Sequence, residues 1–257
     1  MTKTEEIVTS LLTAHREKRK LPSINTDGFP TKDSLYEVQQ EFIHRVTGNQ
    51  DDPVKGYKIS LTNKSLQKIF HTDAPVYGTL TDQSVVKDGV LSKKEFFDPL
   101  VEAELLFVIT EDIPPTAGSE EILENCLIAP GLEIPDCRIE DWFPKISIGE
   151  LIADNAVTGK VVVGELKKVT PAIPLDNISV KVYHGDEEVA EGPSSYVLDN
   201  PLNAVIWLKD TLASQGKSLK KGMMISSGTF FSPFPLELGT YRAVFDHFGE
   251  VELKVVE

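Results

Sequence analysis

Residues 101–109 read VEAELLFVI, and residues 132–139 read LEIPDCRI. The first stretch is dominated by Val, Leu, Phe and Ile and reads as a buried strand whose alternate side chains leave the same face. Glu102 and Glu104 therefore point the same way, with Cα atoms about 7 Å apart for a rise of about 3.4 Å per residue. Ionised carboxylates in apolar surroundings are strongly disfavoured unless they are paired or bind a metal. Glu133 is a third acid in apolar company, beside Ile128, Leu132 and Ile134, with Pro130 and Pro135 bounding the run. Lys58, in GYKIS, is a candidate cation for the group. Three carboxylates and one lysine suggest a metal site, and oxygen-only ligands favour Mg²⁺ or Mn²⁺ over zinc. The plain alternative for an E-x-E pair is the polar face of a half-exposed strand; the third acid weakens it.

Outward from that stretch, the chain divides into a helical beginning and a β-rich remainder. Ile7, Leu11, Leu12 and Ala14 recur at helical spacing over residues 4–18. Leu35, Val38, Phe42 and Val46 do so over 32–47, after a possible cap at Thr31. From Lys55 the pattern changes to short β-rich segments: VKGYKISL, VVKDGVL, VEAELLFVI, LEIPDCRI, KVVVGEL, ISVKVYHG, TYRAVFDHF and VELKVV. Helices are expected at about 64–70, 120–128 and 201–214, the last opened by Asn200 and Pro201 and closed near Gly216. Many short strands with few crossover helices argue for an α+β fold built on a mixed, mostly antiparallel curled sheet. Residues 1–54 form an N-terminal helical region packed on a core spanning 55–257.

Composition narrows the function classes. The chain has 257 residues, with 40 acids against 26 bases and a formal charge of −14. Phosphate backbones need a basic face, so nucleic acid is not an expected partner. HREKRK, residues 15–20, reads as the solvated face of a helix. There is no run of 18 apolar residues and no short apolar core of a signal peptide near the start, so a cytoplasmic protein without membrane association is expected. Cys126 and Cys137 lie in apolar segments without C-x-x-C spacing and read as buried free thiols. His15, His44, His71, His184 and His247 are dispersed, which gives a zinc or haem site no support.

Five motifs then read together in order: GYKISLTNKSLQ from residue 56, YGTLTDQ from 77, PLVEAELLFVI from 99, GLEIPDCRIEDW from 131 and IADNAVTGKVVVG from 152. They resemble the bacterial 2-keto-4-pentenoate hydratase group of the fumarylacetoacetase superfamily, closely over about residues 31–165 and more loosely beyond. The resemblance implies the superfamily's mixed β-roll, the fumarylacetoacetase C-terminal-like fold, and a homo-oligomer. It implies a divalent metal held by Glu102, Glu104 and Glu133, with Lys58 as the catalytic lysine. The implied substrate is a short 2-oxo or 2-hydroxydienoic acid, ketonised and then hydrated at carbon 4 to a 4-hydroxy-2-oxo acid by way of an enolate that the metal stabilises. A 2-oxo acid offers a carboxylate and a ketone oxygen to one cation, which suits that chemistry. Lys58 would serve as a proton carrier or as a cation facing the substrate carboxylate.

Further site candidates rest on the same resemblance. Asp82, in YGTLTD, matches an acid common at that place and is a candidate to orient the lysine or a water; a turn aspartate is the plain alternative. Leu61 and Thr62 are candidates to offer backbone amides and a hydroxyl to substrate, although Thr62 equally suits a helix cap. Lys160, Ser227 and Thr229 are candidates for substrate oxygens. Departures from the group's pattern are Ser60 where glycine is common, Asn63 where serine is usual, and Gly239-Thr240 in place of Gly-Asp. They leave the acids intact and bear on pocket shape. A decarboxylase of 2-oxo-3-hexenedioate is the nearest rival. An acylpyruvate C–C hydrolase ranks lower because HTDAP, around His71, lacks the neighbouring Glu that a water-activating pair needs. A non-catalytic 2-oxo acid binding protein is the third alternative.

Overall fold

A computed structural model describes residues 1–48, 54–170 and 173–257. The helical beginning is α1 (Lys3–Glu17) and α2 (Lys32–Val46), each opened by a threonine, Thr2 and Thr31, whose hydroxyl accepts an N–H of the first turn. Then follow β1 (Gly56–Ser60), α3 (Lys64–Ile69), β2 (Val76–Leu80), β3 (Val85–Val86), β4 (Val90–Ser92), β5 (Leu100–Ile109), α4 (Ser119–Glu124) and β6 (Cys126–Ile134). The chain continues with α5 (Trp142–Lys145), α6 (Ile148–Ala153), β7 (Lys160–Val163), β8 (Ser179–His184), β9 (Glu187–Pro193) and α7 (Pro201–Ser214). It ends with β10 (Met224–Ser226), β11 (Phe234–Pro235), β12 (Gly239–Phe245) and β13 (Gly249–Val256).

The strands form two sheets. An eight-stranded sheet runs β2-β1-β10-β5-β6-β7-β3, with β11 added on β5, and a five-stranded sheet runs β4-β13-β12-β8-β9. Pairing is antiparallel except for β1 with β10, β3 with β7 and β4 with β13, so the expected mixed, mostly antiparallel α+β architecture is what the chain adopts. The N-terminal helices pack on this core. Buried Gln39 of α2 donates through Nε2 to the carbonyls of Tyr77 and Ile152, and Tyr36 stacks on Tyr77 with ring centroids 4.2 Å apart. Ile7, Val8, Leu11, Val38 and Phe42 belong to the same apolar cluster as Ile59, Leu105 and Leu132. The expected boundary at residue 54 follows residues 49–53, which lie outside the described residues.

Expected helices and observed ones agree at α1, α2, α3 and α7. Asn200 accepts the Leu202 N–H, Pro201 takes the first turn, and Gly216 follows the last turn with φ +71°. Four differences have physical causes. The strand carrying Glu133 starts at Cys126, where a helix to residue 128 was expected, and it ends at Ile134. Pro130 does not break it: its carbonyl accepts the Gly164 N–H where β7 ends, so the missing proline N–H costs no ladder bond to β5. Next, β2 was not foreseen because Gly78 interrupts its pattern. That glycine is required, since a Cβ there would lie 2.1 Å from Thr158 Oγ1 and 2.2 Å from the Asn155 carbonyl. Third, β9 is a mostly exposed edge strand without apolar alternation, and β10 has three residues, too few for alternation to show. Finally, the helix after β1 is capped by Asn63, which accepts the Leu66 N–H, and not by Thr62.

Candidate active site

Strand register brings the acids together. Glu102 of β5 lies directly opposite Glu133 of β6, and Glu104 lies opposite Gly131. Because side chains alternate, Glu102, Glu104 and Glu133 share one face of the sheet. Ser226 of β10 pairs with both Leu106 of β5 and Lys58 of β1, which places Lys58 on that face as well. Leu80, Leu106 and Val161 form a buried apolar cluster on the same face. One carboxylate oxygen from each of the three glutamates lies within 4.8 Å of the others.

The group is dry on all sides but one. Glu104, Glu133 and Lys58 are buried at 0%, 0% and 1% exposure, while Glu102 is half-buried and opens on a cavity. Lys58 Nζ lies 2.9 Å from Glu133 Oε1 and donates to Ser60 Oγ at 2.7 Å. Glu104 accepts the Ser226 hydroxyl and the Gly228 N–H, the latter at 2.8 Å. Gly228 adopts φ +117°, and a Cβ on it would meet Thr62 Oγ1 at 2.3 Å, so only glycine lets this backbone pass over Glu104. Glu104 Oε1 and Glu133 Oε2 are buried without a hydrogen-bond partner.

Burial and mutual repulsion set the charges. Burial raises the Glu102 carboxyl to about 8, against the pull of Lys58, with Glu133 adding to the rise. Glu104 is pushed well above the carboxylate range by burial and by Glu133 and Glu102. For Lys58 the largest influence, burial, acts downward, but Glu133, Glu102 and Glu104 outweigh it and hold the ammonium above its usual value. Such a cluster is short of positive charge.

The remaining expected residues separate into two groups. Leu61, Thr62 and Thr229 line the cavity beside Lys58 and Glu102. Leu61 sits at φ +60°, an uncommon conformation for a branched residue, with its carbonyl accepting from Gln67 Nε2. Thr229 Oγ1 donates to the Phe231 carbonyl, and Ser227 is fully buried and does not line the cavity, its Oγ without a hydrogen-bond partner. Asp82 and Lys160 are corrections. The Asp82 side chain is 76% exposed and faces Lys55 at 3.8 Å, beyond the end of β2, so it neither touches nor orients Lys58. Lys160 pairs in register with Ile134, one residue past Glu133, so alternation sends it to the opposite face. There it donates to the Gln83 carbonyl and lines a separate cavity with His15, Lys18 and Arg138.

Similarity to known proteins over most of the chain decides the family. No family model matches the chain. The chain is 29% identical over 255 residues to the 2-hydroxyhexa-2,4-dienoate hydratase of Comamonas testosteroni, covering 96% of this chain and 95% of the relative. It is 31% identical over 229 residues to the 2-keto-4-pentenoate hydratase of Paraburkholderia xenovorans (strain LB400), covering 87% and 84% of the two chains. The chain belongs to the 2-keto-4-pentenoate hydratase family. Its fold matches that of the 4-oxalocrotonate decarboxylase of Pseudomonas putida G7, complexed with magnesium and adipate, at a TM-score of 0.89 and 23% identity over 100% of this chain and 99% of that one.

For this hydratase-family chain the donor set fits a hard divalent cation. The two orphaned buried oxygens, on Glu104 and Glu133, need a positive partner, and the third acid faces the cavity through which an ion and a substrate would enter. Three features of the site lay outside the sequence reading: the Ser226 and Gly228 donors on Glu104, the Ser60 acceptor on Lys58, and the cavity wall supplied by Trp142 and Phe143. Ser60 and Ser226 carried a signal in retrospect, since each shares a sheet face with Lys58 by register.

Proposed function

We propose that the chain is a divalent-metal-dependent hydro-lyase that hydrates a short 2-hydroxydienoic or 2-oxo-enoic acid to a 4-hydroxy-2-oxo acid. The observation that carries this reading is the convergence of Glu102, Glu104 and Glu133 on one point beside Lys58, at the mouth of a cavity. Glu102, Glu104 and Glu133 would hold Mg²⁺ or Mn²⁺, whose Lewis acidity there would polarise the carboxylate and 2-oxo oxygens of the substrate.

The protein groups account for the rest. The reaction first moves a proton from the 2-hydroxyl to the far end of the diene, and water then adds its hydroxyl to carbon 4 and a proton to carbon 3. Both steps develop negative charge on the 2-oxygen, which a fixed cation stabilises without reorganisation. The Lys58 ammonium, pinned by Glu133 and Ser60, is such a cation, and an N–H not engaged by those two partners would be the one to pass its proton to the substrate. Gly228 and Ser226 fix Glu104, so that the acids need not rearrange between steps. The apolar walls of the cavity keep bulk water from competing.

The test is turnover of 2-hydroxypenta-2,4-dienoate by Mg²⁺-supplemented protein, followed by dienol absorbance and product mass. Gain of one water supports the hydratase. Loss of CO₂ from 2-oxo-3-hexenedioate with no hydration of the dienoate would replace this reading by the decarboxylase.

A further inference from the structure

The cavity over the acid cluster has two unlike ends. Lys58, Ser60, Thr62, Glu102 and Thr229 make one polar end. The other walls are Leu66 and Phe70 at α3, Trp142 and Phe143 of α5, Leu151 of α6, and Val157. Aromatic contacts make this wall continuous: Phe143 lies 6.5 Å from Phe70 and 5.5 Å from Trp142, centroid to centroid. The one polar atom of Trp142 is spent elsewhere, its Nε1 donating to the Asp98 carbonyl at 3.2 Å. The cavity is small, about 30 Å³.

Charge is confined to the polar end. Lys58 and Glu102 are the charged residues among those lining the cavity, and Lys58 is already engaged by Glu133. Lys64 and Lys68 belong to the same helix as Leu66 but do not line the cavity; Lys64 donates to Gln67. A substrate bound head-first to the acid cluster therefore meets no cation at its tail among the described residues.

We propose that the Leu66, Phe70, Trp142 and Phe143 wall is a specificity element that admits a short uncharged tail and rejects a second carboxylate, making this chain an enzyme of monocarboxylic 2-oxo acids. The inference rests on the head-group reading proposed above. An ionised carboxylate pressed against leucine and three aromatic rings loses its hydration and gains no partner. An alkyl or vinyl group at the same place gains by leaving water. Discrimination of this kind, by an unpaired buried charge, is far larger than that between neighbouring alkyl lengths.

The experiment is equilibrium binding of two unreactive 2-oxo acids of equal length, 2-oxohexanoate and 2-oxohexanedioate, to the full chain with Mg²⁺, by calorimetry. They share the head and differ only in a terminal methyl against a terminal carboxylate. The expected result is at least about 100-fold tighter binding of 2-oxohexanoate. A Leu66→Arg variant, at a half-buried position where the guanidinium can reach the wall, should reduce that ratio at least about tenfold, while Leu66→Gln should leave it nearly unchanged. Equal or tighter binding of 2-oxohexanedioate by the unaltered protein overturns the tail preference alone. Failure of both acids to bind overturns it together with the head-group reading. The ratio in the unaltered protein decides the matter even where a variant fails to fold.

Discussion

Lys58 Nζ and Glu133 Oε1 meet at 2.9 Å with side chains 2% and 0% exposed, two opposite charges from strands β1 and β6 inside the sheet's own face. A buried pair of this kind returns little stability of its own, yet removing one partner leaves the other uncompensated. Glu133, Glu102 and Glu104 all act on the Lys58 ammonium, so its removal affects the whole cluster.

The Lys58→Met variant should therefore unfold more readily when metal is withheld, by about 3–5 kcal/mol. A divalent cation takes over the missing charge, so the gap between melting temperatures in Mg²⁺ and in EDTA should be wider in the variant than in the parent. Activity should fall by at least about 100-fold even with Mg²⁺ saturating, since the fixed proton donor is gone. Thermal unfolding with and without EDTA, beside turnover, checks both parts. A variant as stable as the parent in EDTA would show that the three acids do not depend on Lys58.

Glu104→Gln separates charge from shape. The amide oxygen can still accept from Ser226 and Gly228, so the fold should remain. Mg²⁺ at about 100 times its dissociation constant stabilises a protein by about 2.7 kcal/mol, or several degrees in melting temperature for a chain of this size. That increment should disappear in Glu104→Gln together with metal-dependent turnover. Full activity of the variant in metal-free buffer would sink the three-carboxylate arrangement.

Much of this site was legible because strand alternation is a strict rule. Glu102 and Glu104 had to share a face once VEAELLFVI was a strand, and the register with Glu133 completed the set. What was not legible came from contacts distant in sequence. Asp82 and Lys160 were weaker candidates than Lys58, and the structure sets them apart from it: one lies past the end of β2 and the other on the far face of β7. Nothing in their neighbours encodes that, since a one-residue change in register would reverse it. The Glu133 strand continues through Pro130 where the sequence suggests a boundary, and only its partner strands show that the missing N–H points away from β5, towards the end of β7. Strand β10, three residues long, carries Ser226 to Glu104 without any pattern of its own.

Ser60 tests positioning as distinct from charge. Its hydroxyl accepts from Lys58 Nζ at 2.7 Å, two residues along the same strand face. Ser60→Ala removes a hydrogen bond to a charged group, an effect of about 1.5–3 kcal/mol at most, offset where water can enter from the cavity. The expected outcome is a fall in kcat of about tenfold with KM changed little, because the ammonium remains but is held by Glu133 alone. A change confined to KM would instead place Ser60 in substrate binding.

The second cavity, of about 190 Å³, supplies a pH prediction independent of the acid cluster. His15 of α1 is drawn down to about 4, first by burial, then by the positive charges of Arg138, Lys18, Arg16 and Lys160. Glu95 and Asp136 also line that cavity, and Asp136 is itself raised to about 6 by burial. Between pH 4 and an unfolded value near 6.5, the unfolded chain holds a proton on this histidine that the folded chain does not. Folding stability from His15 therefore rises with pH across that window and is lost as pH falls through it. Asp136 acts in the opposite sense: the folded chain holds its proton up to about 6, so its contribution declines as pH rises from 3.8 to 6. The two slopes oppose each other in the parent. In His15→Gln only the histidine contribution is removed, so the stability of the parent relative to the variant should climb as pH rises from 4 to 6.5 and level off above. Urea unfolding of both proteins at half-unit pH steps in that range measures the difference directly. A difference that does not vary with pH would mean that the folded chain protonates His15 as readily as the unfolded one, and that neither burial nor the charges of Arg138, Lys18, Arg16 and Lys160 disfavour its protonated ring.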